Sequence, residues 1–193
     1  MSEIRIEIEK PNIENMVSYS KLSIEFIVES EYQLKKKNGG LDGLSLEEVI
    51  VTPYRKNYDC EDDNPSQLMK RFDLGNWFVI SAYEGEKLVG GALLAYKTKE
   101  INMLEGRDDL TVLWDIRIDE AYRNRGIGHR LLNTCKDVSK ELNCNRIKIE
   151  TQNNNVSACK FYVRQGAELT SFREHCYKEF PNEIQFIWSI YLG

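Results

Sequence analysis

No stretch of this 193-residue chain is apolar for the roughly 20 residues that a membrane-spanning helix needs, so no membrane segment is expected. Histidine occurs only twice. The five cysteines (Cys60, Cys135, Cys144, Cys159 and Cys176) are odd in number and scattered, with no Cys-x-x-Cys pair. That spacing offers no zinc site, and no metal is expected. Basic charge is the scarcer sign: 26 Lys and Arg stand against 31 Asp and Glu, a formal net charge of −5. Broad nucleic-acid binding finds no support in that balance, whereas an acidic surface suits a cationic or amine substrate. The first residues, Met-Ser-Glu-Ile-Arg, lack a signal-peptide pattern, so a reducing cytoplasm is the expected location. Internal repeats, low-complexity tracts and obvious linkers are missing too. The length then fits one domain with a sizeable core.

What is present concentrates at residues 110–130. Val112 to Ile118 is an apolar, β-branched run that reads as a largely buried strand. Arg123-Asn124-Arg125-Gly126-Ile127-Gly128 follows, directly ahead of Ile127, Leu131, Leu132, Cys135, Val138 and Leu142 at helical spacing. A strand, a short glycine-bearing loop and a helix N-terminus make an anion cradle. The glycines let the backbone turn sharply, and the first-turn N–H groups lack helical acceptors. Arg123, Arg125 and Arg130 add positive charge. No Gly-x-x-x-x-Gly-Lys-Ser/Thr string exists, and only two glycines of a Gly-x-Gly-x-x-Gly fingerprint are present. A plain glycine-containing strand-to-helix turn would share these features, so the rest of the chain must decide.

Residues 3–9 alternate strictly and predict a strand, and Asn12, Asn15, Met16, Tyr19 and Leu22 predict a helix after Pro11. Between 31 and 64 the pattern is poor. Lys35 to Gly40 reads as a solvated basic turn, Val49 to Val51 as a short extended piece before Pro53, and Tyr58 to Asp63 as an acidic loop, either near the substrate or merely solvated. Pro65 opens a short helix through Leu68 and Phe72. Residues 77–96 read as a β-hairpin about Glu84-Gly85-Glu86, with Gly90-Gly91 marking a bulge or a close backbone approach. Residues 145–150 give another strand and Val156 to Val163 an apolar helix stopped by Gly166. Residues 167–177 and 183–191 give a closing antiparallel pair. Cys135 and Cys159 fall in predicted helices, as small core residues.

Residues 149–168 carry a second constellation: Glu150 at a strand end, Asn153-Asn154-Asn155 before a helix, then Phe161-Tyr162-x-x-x-Gly166. With Arg123-x-x-Gly126-x-Gly128 ahead of it, one helix and one strand earlier, this resembles the acetyl-CoA-binding core of the GNAT N-acetyltransferases. More narrowly, Leu113-Trp114-Asp115-Ile116-Arg117, Ile149-Glu150-Thr151-Gln152-Asn153 and Ala158-Cys159-Lys160-Phe161-Tyr162 look like streptothricin acetyltransferases. The resemblance covers roughly residues 75–192 and leaves the antibiotic acceptor open.

It implies a single α/β (α+β) domain over 1–193, with 1–75 as a variable acceptor-side part and 76–193 as the acetyl-CoA core. The sheet would be central, mixed and mostly antiparallel, flanked by helices and splayed between its fourth and fifth strands. The implied activity is acetyl-CoA-dependent N-acetylation of a small-molecule primary amine, an antibiotic-resistance chemistry if the acceptor is a streptothricin. Acetylation of a protein N-terminus or lysine, or a silent acyl-CoA-binding module, are the alternatives; monomer and homodimer both stay open. On the same resemblance, backbone groups of Ile116, Arg117 and Ile118 would pair with the acetyl and pantetheine groups. Arg123, Asn124, Arg125, Gly126, Ile127, Gly128 and His129 would hold the pyrophosphate. Asn155 would bond the pantetheine arm, although a helix N-cap explains it equally. Tyr162 would be the general acid, and a core tyrosine is its other reading. The base stays open among Glu150, Asp115 and water.

Overall fold

The alternating Ile4, Ile6 and Ile8 form strand β1 (Ile4–Glu9) in a computed structural model that describes residues 3–59 and 64–193. Helix α1 (Ile13–Tyr19) follows. Asn12 Oδ1 accepts from the Asn15 N–H at 3.0 Å, and Asn15 Oδ1 accepts from the Asn12 N–H at 2.8 Å. This reciprocal cap satisfies two of the helix's orphan donors and fixes its start. After a 3-10 turn at Pro65–Gln67 comes the single-turn helix α2 (Leu68–Arg71).

Two long strands lie in between, β2 (Phe26–Lys36) and β3 (Leu44–Lys56), paired antiparallel as a separate two-stranded sheet. The solvated turn expected at Lys35–Gly40 is only the apex of this hairpin, and Pro53 does not end the strand. Pro53 falls where the register shifts, between the pairs Val28↔Tyr54 and Ser30↔Ile50, so the missing proline N–H removes no ladder bond. Most residues of β3 are exposed, whereas β2 alternates, with Val28 buried and Tyr32 and Leu34 half-buried between the exposed Glu29, Gln33 and Lys35.

The predicted hairpin at 77–96 is β4 (Phe78–Glu84) with β5 (Lys87–Ala95). Gly91 marks a close approach: a Cβ there would lie 2.7 Å from Tyr19 Cε2 and 3.0 Å from the Ile80 carbonyl oxygen. Then come β6 (Leu110–Ile118), α3 (Ile127–Glu141), β7 (Arg146–Gln152), α4 (Val156–Arg164), β8 (Glu168–Arg173) and β9 (Gln185–Tyr191). The main sheet has the order β1-β4-β5-β6-β7-β9-β8. It is mostly antiparallel, with one parallel pair, β6 with β7. Among the described residues no helix is long and apolar enough to cross a membrane.

The chain forms two compact units. The first comprises Met1–Ile24, Asn57–Ile149 and Ser189–Gly193. Its core joins Met16, Tyr19 and Leu22 of the α1 region to Leu68, Trp77, Leu93, Leu110 and Val112. Phe72, Trp77 and Trp114 meet there with ring centroids 5.3–5.8 Å apart. Helix α3 buries Ile127, Leu131, Leu132, Cys135 and Val138, the stripe its spacing predicted. The second unit comprises Glu25–Lys56 and Glu150–Trp188. It buries Val156, Cys159 and Tyr162 of α4 together with Phe186 and Trp188 of β9. Burial pushes the Cys135 thiol up to about 12 and the Cys159 thiol up to about 11, so both are inert core residues.

Candidate active site

In the first unit, β6 pairs antiparallel with β5 from Val112 through Ile118. Its parallel ladder with β7 is shorter, from Leu110↔Arg146 to Leu113↔Ile149. Beyond Leu113 no further β7 pair is recorded among the described residues, so the splay falls between the fourth and fifth strands of the sheet. The backbone of Trp114–Ile118 therefore presents an edge on which an extended ligand can pair as an added strand would.

The loop after β6 ends in two left-handed residues, Asn124 (φ +61°) and Gly126 (φ +77°). Asn and Gly are the residues that tolerate this conformation. A Cβ at Gly126 would meet nothing within 4 Å, so what the glycine supplies is the turn itself. Gly126 is the N-cap of the 15-residue α3, and no side chain caps that helix. Helices α1 and α4 are both capped by asparagine. The uncapped end faces a basic loop. Arg123 Nε donates to the Ile118 carbonyl at 3.3 Å, Arg125 lies 4.7 Å from the Tyr122 ring centre, and Arg125 and Arg130 are exposed. First-turn amides without a side-chain cap, the positive end of the macrodipole and nearby guanidinium groups favour a phosphate.

Arg117 has a different environment from the loop arginines. Its side chain is 2% exposed and lies among acids. Nε donates to Asp115 Oδ2 at 2.6 Å, Nη1 donates to Asp59 Oδ2 and to the Leu22 carbonyl at 3.0 Å, and Nη2 lies 2.7 Å from Asp59 Oδ1. Only its backbone remains for a ligand on the β6 edge. Burial pushes the Asp115 carboxyl above its ordinary range, against the pull of the Arg117 charge. Asp59 is thus an ion-pair partner and not part of a solvated loop. Residues 60–63 of the expected acidic run lie outside the described residues. Asp115 and Arg117 share a face of β6 by strand period, but Asp59 and Leu22 are brought to them only by the fold.

In the second unit, Glu150 lies at the end of β7, half-buried. Tyr177 Oη donates to Glu150 Oε1 at 2.6 Å, and Gln152 Nε2 donates to Tyr177 Oη at 3.0 Å. Asn155 Oδ1 accepts from the Ala158 N–H at 3.1 Å, so Asn155 is the N-cap of α4. Tyr162 lies within α4, 4% exposed, its ring 5.2 Å from that of Phe161. His129 pairs with Asn133 one turn along α3, and His175 Nδ1 meets the Pro181 carbonyl. Neither histidine belongs to the Glu150 group. Among the described residues no cluster of three or more His, Cys, Asp or Glu is placed to hold a metal ion.

The same unit holds a cavity of about 360 Å³ lined by Glu31, Tyr54, Asn153, Asn154 and residues 179–183. Its walls combine three carboxylates (Glu31, Glu179, Glu183) with the rings of Tyr54 and Phe180. Burial and a bond to Glu31 push the Tyr54 phenol up to about 12, so it donates to Glu31 Oε1 (2.7 Å) at neutral pH. The buried Lys56 ammonium sits 2.5 Å from Glu183 Oε1 and over the Phe180 ring. Such surroundings stabilise cations through charge and through the ring quadrupole.

The model of the Acetyltransferase (GNAT) family matches residues 44–167. A streptothricin acetyltransferase of Escherichia coli is 27% identical over 154 residues, 78% of each chain. The crystal structure of a nourseothricin acetyltransferase superposes with a TM-score of 0.76 at 19% identity, covering 98% of this chain and 99% of the other. A Bacillus anthracis str. Ames protein in complex with acetyl coenzyme A superposes with a TM-score of 0.73 at 24% identity, covering 97% and 99%.

Proposed function

The chain belongs to the acetyltransferase (GNAT) family, and from that premise we propose that it moves the acetyl group of acetyl-CoA onto a primary amine of a small, cationic molecule of the streptothricin type. The observation that carries the cofactor half is the uncapped N-terminus of α3 behind the left-handed Gly126. A pyrophosphate supplies the acceptors that a capping side chain would otherwise provide. Arg125 and Arg130 add charge to it, and the edge of Trp114–Ile118 takes the pantetheine amides. Gly126→Ala keeps the space but strains the backbone, by about 1–2 kcal/mol for an L-residue held left-handed. The expected result is an acetyl-CoA Kd raised on the order of 10-fold, with the thermal midpoint lowered by only a few degrees. Wild-type affinity measured by calorimetry would separate Gly126 from the cofactor.

The chemistry is direct transfer. The amine nitrogen attacks the thioester carbonyl, a C–N bond forms, and the C–S bond breaks to release CoA thiolate. The ammonium must lose one proton to the base before the amine can attack, and the nitrogen loses a second as the amide forms; one of the two leaves to solvent and one must reach the sulfur. Of the two acids expected as base, Glu150 is the better one, because the Asp115 oxygen is committed to Arg117 in a buried ion pair. Carboxylates are in general far weaker bases than alkylamines, so a water relay fits. Tyr162 supplies the proton to the thiolate. Asn155 caps α4 through its side-chain oxygen and keeps its amide nitrogen for the pantetheine arm.

The acceptor half rests on two supports: the name of the Escherichia coli relative and the acidic, aromatic cavity of the second unit. A polycationic antibiotic suits carboxylates beside aromatic faces. The test is CoA release from acetyl-CoA in the presence of streptothricin, simple polyamines or peptides with free N-termini. Streptothricin is expected to drive turnover. Robust acetylation of peptide N-termini without streptothricin turnover would replace the acceptor and leave the cofactor assignment intact.

A further inference from the structure

Glu150 and Gln152 stand two residues apart on β7, so their side chains leave the same face of the strand, and Tyr177 meets both. A phenol carries one proton. When the Gln152 amide donates to Tyr177 Oη at 3.0 Å, the phenol proton is directed to Glu150 Oε1, 2.6 Å away. The hydrogen bonds therefore run one way, from Gln152 through Tyr177 to Glu150. A glutamate on a strand end otherwise has three soft torsions and no preferred direction; here one oxygen is held and the other is presented at a defined angle.

We propose that Tyr177 is the positioning residue for the Glu150 carboxylate in acetyl transfer, with Gln152 setting the direction of its hydroxyl. The proposal rests on the assignment of Glu150 as the acid that meets the acceptor amine. Tyr177 holds Oε1, and Oε2 then takes the ammonium proton, directly or through water. Tyr177 itself carries no proton in the reaction. Burial, together with the charge and hydrogen bond of Glu150, pushes its phenol far above the ordinary tyrosine range, so it remains a donor throughout the working pH. Its place, in the segment between β8 and β9, is 27 residues from Glu150 in the chain, and no motif marks it.

A double-mutant cycle tests this. Tyr177→Phe keeps the ring and deletes one oxygen; a hydrogen bond to a charged group that orients it is expected to be worth about 10-fold in kcat/KM for the amine. Acetyl-CoA KM is expected to stay unchanged, because Tyr177 has no part in holding the cofactor. Glu150→Gln lowers the same kcat/KM by at least roughly 10-fold. In the Glu150→Gln background, Tyr177→Phe is expected to have no further effect, since nothing remains to be positioned. An equal further loss in that background shows a merely structural role and overturns the proposal. So does wild-type turnover by Tyr177→Phe while Glu150→Gln is slow, which leaves the Glu150 assignment standing. Wild-type turnover by Glu150→Gln removes that assignment and this proposal with it. Should Tyr177→Phe fail to fold, Gln152→Leu releases the phenol's orientation alone, with a smaller loss expected that also vanishes in the Glu150→Gln background. A phenol titration, read by ultraviolet difference against Tyr177→Phe, needs no acceptor: Glu150→Gln is expected to let Tyr177 ionise at lower pH, and an unmoved titration overturns the contact.

Discussion

Replacing Arg117 by leucine is expected to cost the fold about 3–5 kcal/mol, a large share of the roughly 5–15 kcal/mol that holds a domain together. The guanidinium is almost wholly buried and is the shared partner of Asp115 and Asp59, besides donating to the Leu22 carbonyl. Without it, two carboxylates lose their counter-charge in a place where water replaces it poorly. Urea unfolding at 25 °C measures the loss. The penalty should also depend on pH. Burial raises the Asp115 carboxyl in the folded chain. A carboxyl raised on folding binds protons more readily folded than unfolded, so its contribution favours low pH. It fades as pH rises above the unfolded aspartate value of about 3.9. Removing the Arg117 charge widens that window, so the variant is expected to lose less stability at pH 5 than at pH 8. Asp115→Asn in the same background is expected to recover part of the loss. A loss below about 1 kcal/mol, equal at both pH values, would show that the array is not a buried charge cluster.

Tyr162→Phe is expected to lower kcat by about 10²-fold with little change in acetyl-CoA affinity. General acids contribute on the order of 10²–10⁴-fold, and a thiolate leaves readily, so the low end applies. The ring of Tyr162 is buried beside Phe161 and survives the substitution, so the packing of α4 is retained. Single-turnover kinetics isolate the chemical step from product release. An unchanged rate there, with an unchanged thermal midpoint, would return Tyr162 to the role of a core tyrosine.

The glycine-bearing loop and the strand before it were legible because each is local. Gly126 needs a left-handed φ that the chain expresses as a glycine, and the stripe from Ile127 to Val138 follows from helical period alone. The same holds for the β4–β5 hairpin and for the helix that opens after Asn12. The β2–β3 hairpin was missed for a reason that holds for one strand only. β3 faces water at most positions and leaves no clear alternation, whereas β2 carries one in Val28, Ser30, Tyr32 and Leu34, with Val28 buried.

Sequence by itself determined the family, through Arg123, Gly126, Gly128, Glu150, Asn155 and Tyr162 in their order. Tertiary structure alone decided how those side chains are used. Arg117 pairs with an acid 58 residues away, and Tyr177 with one 27 residues away. A glutamate at a strand end and an aspartate on the neighbouring strand are the same chemical group on the page of residues. One receives a hydrogen bond from the phenol of Tyr177, and the other is closed in an ion pair with Arg117, whose charge it shares with Asp59. That difference comes from burial and from the distant partners Tyr177 and Asp59, which charge and spacing along a chain do not encode.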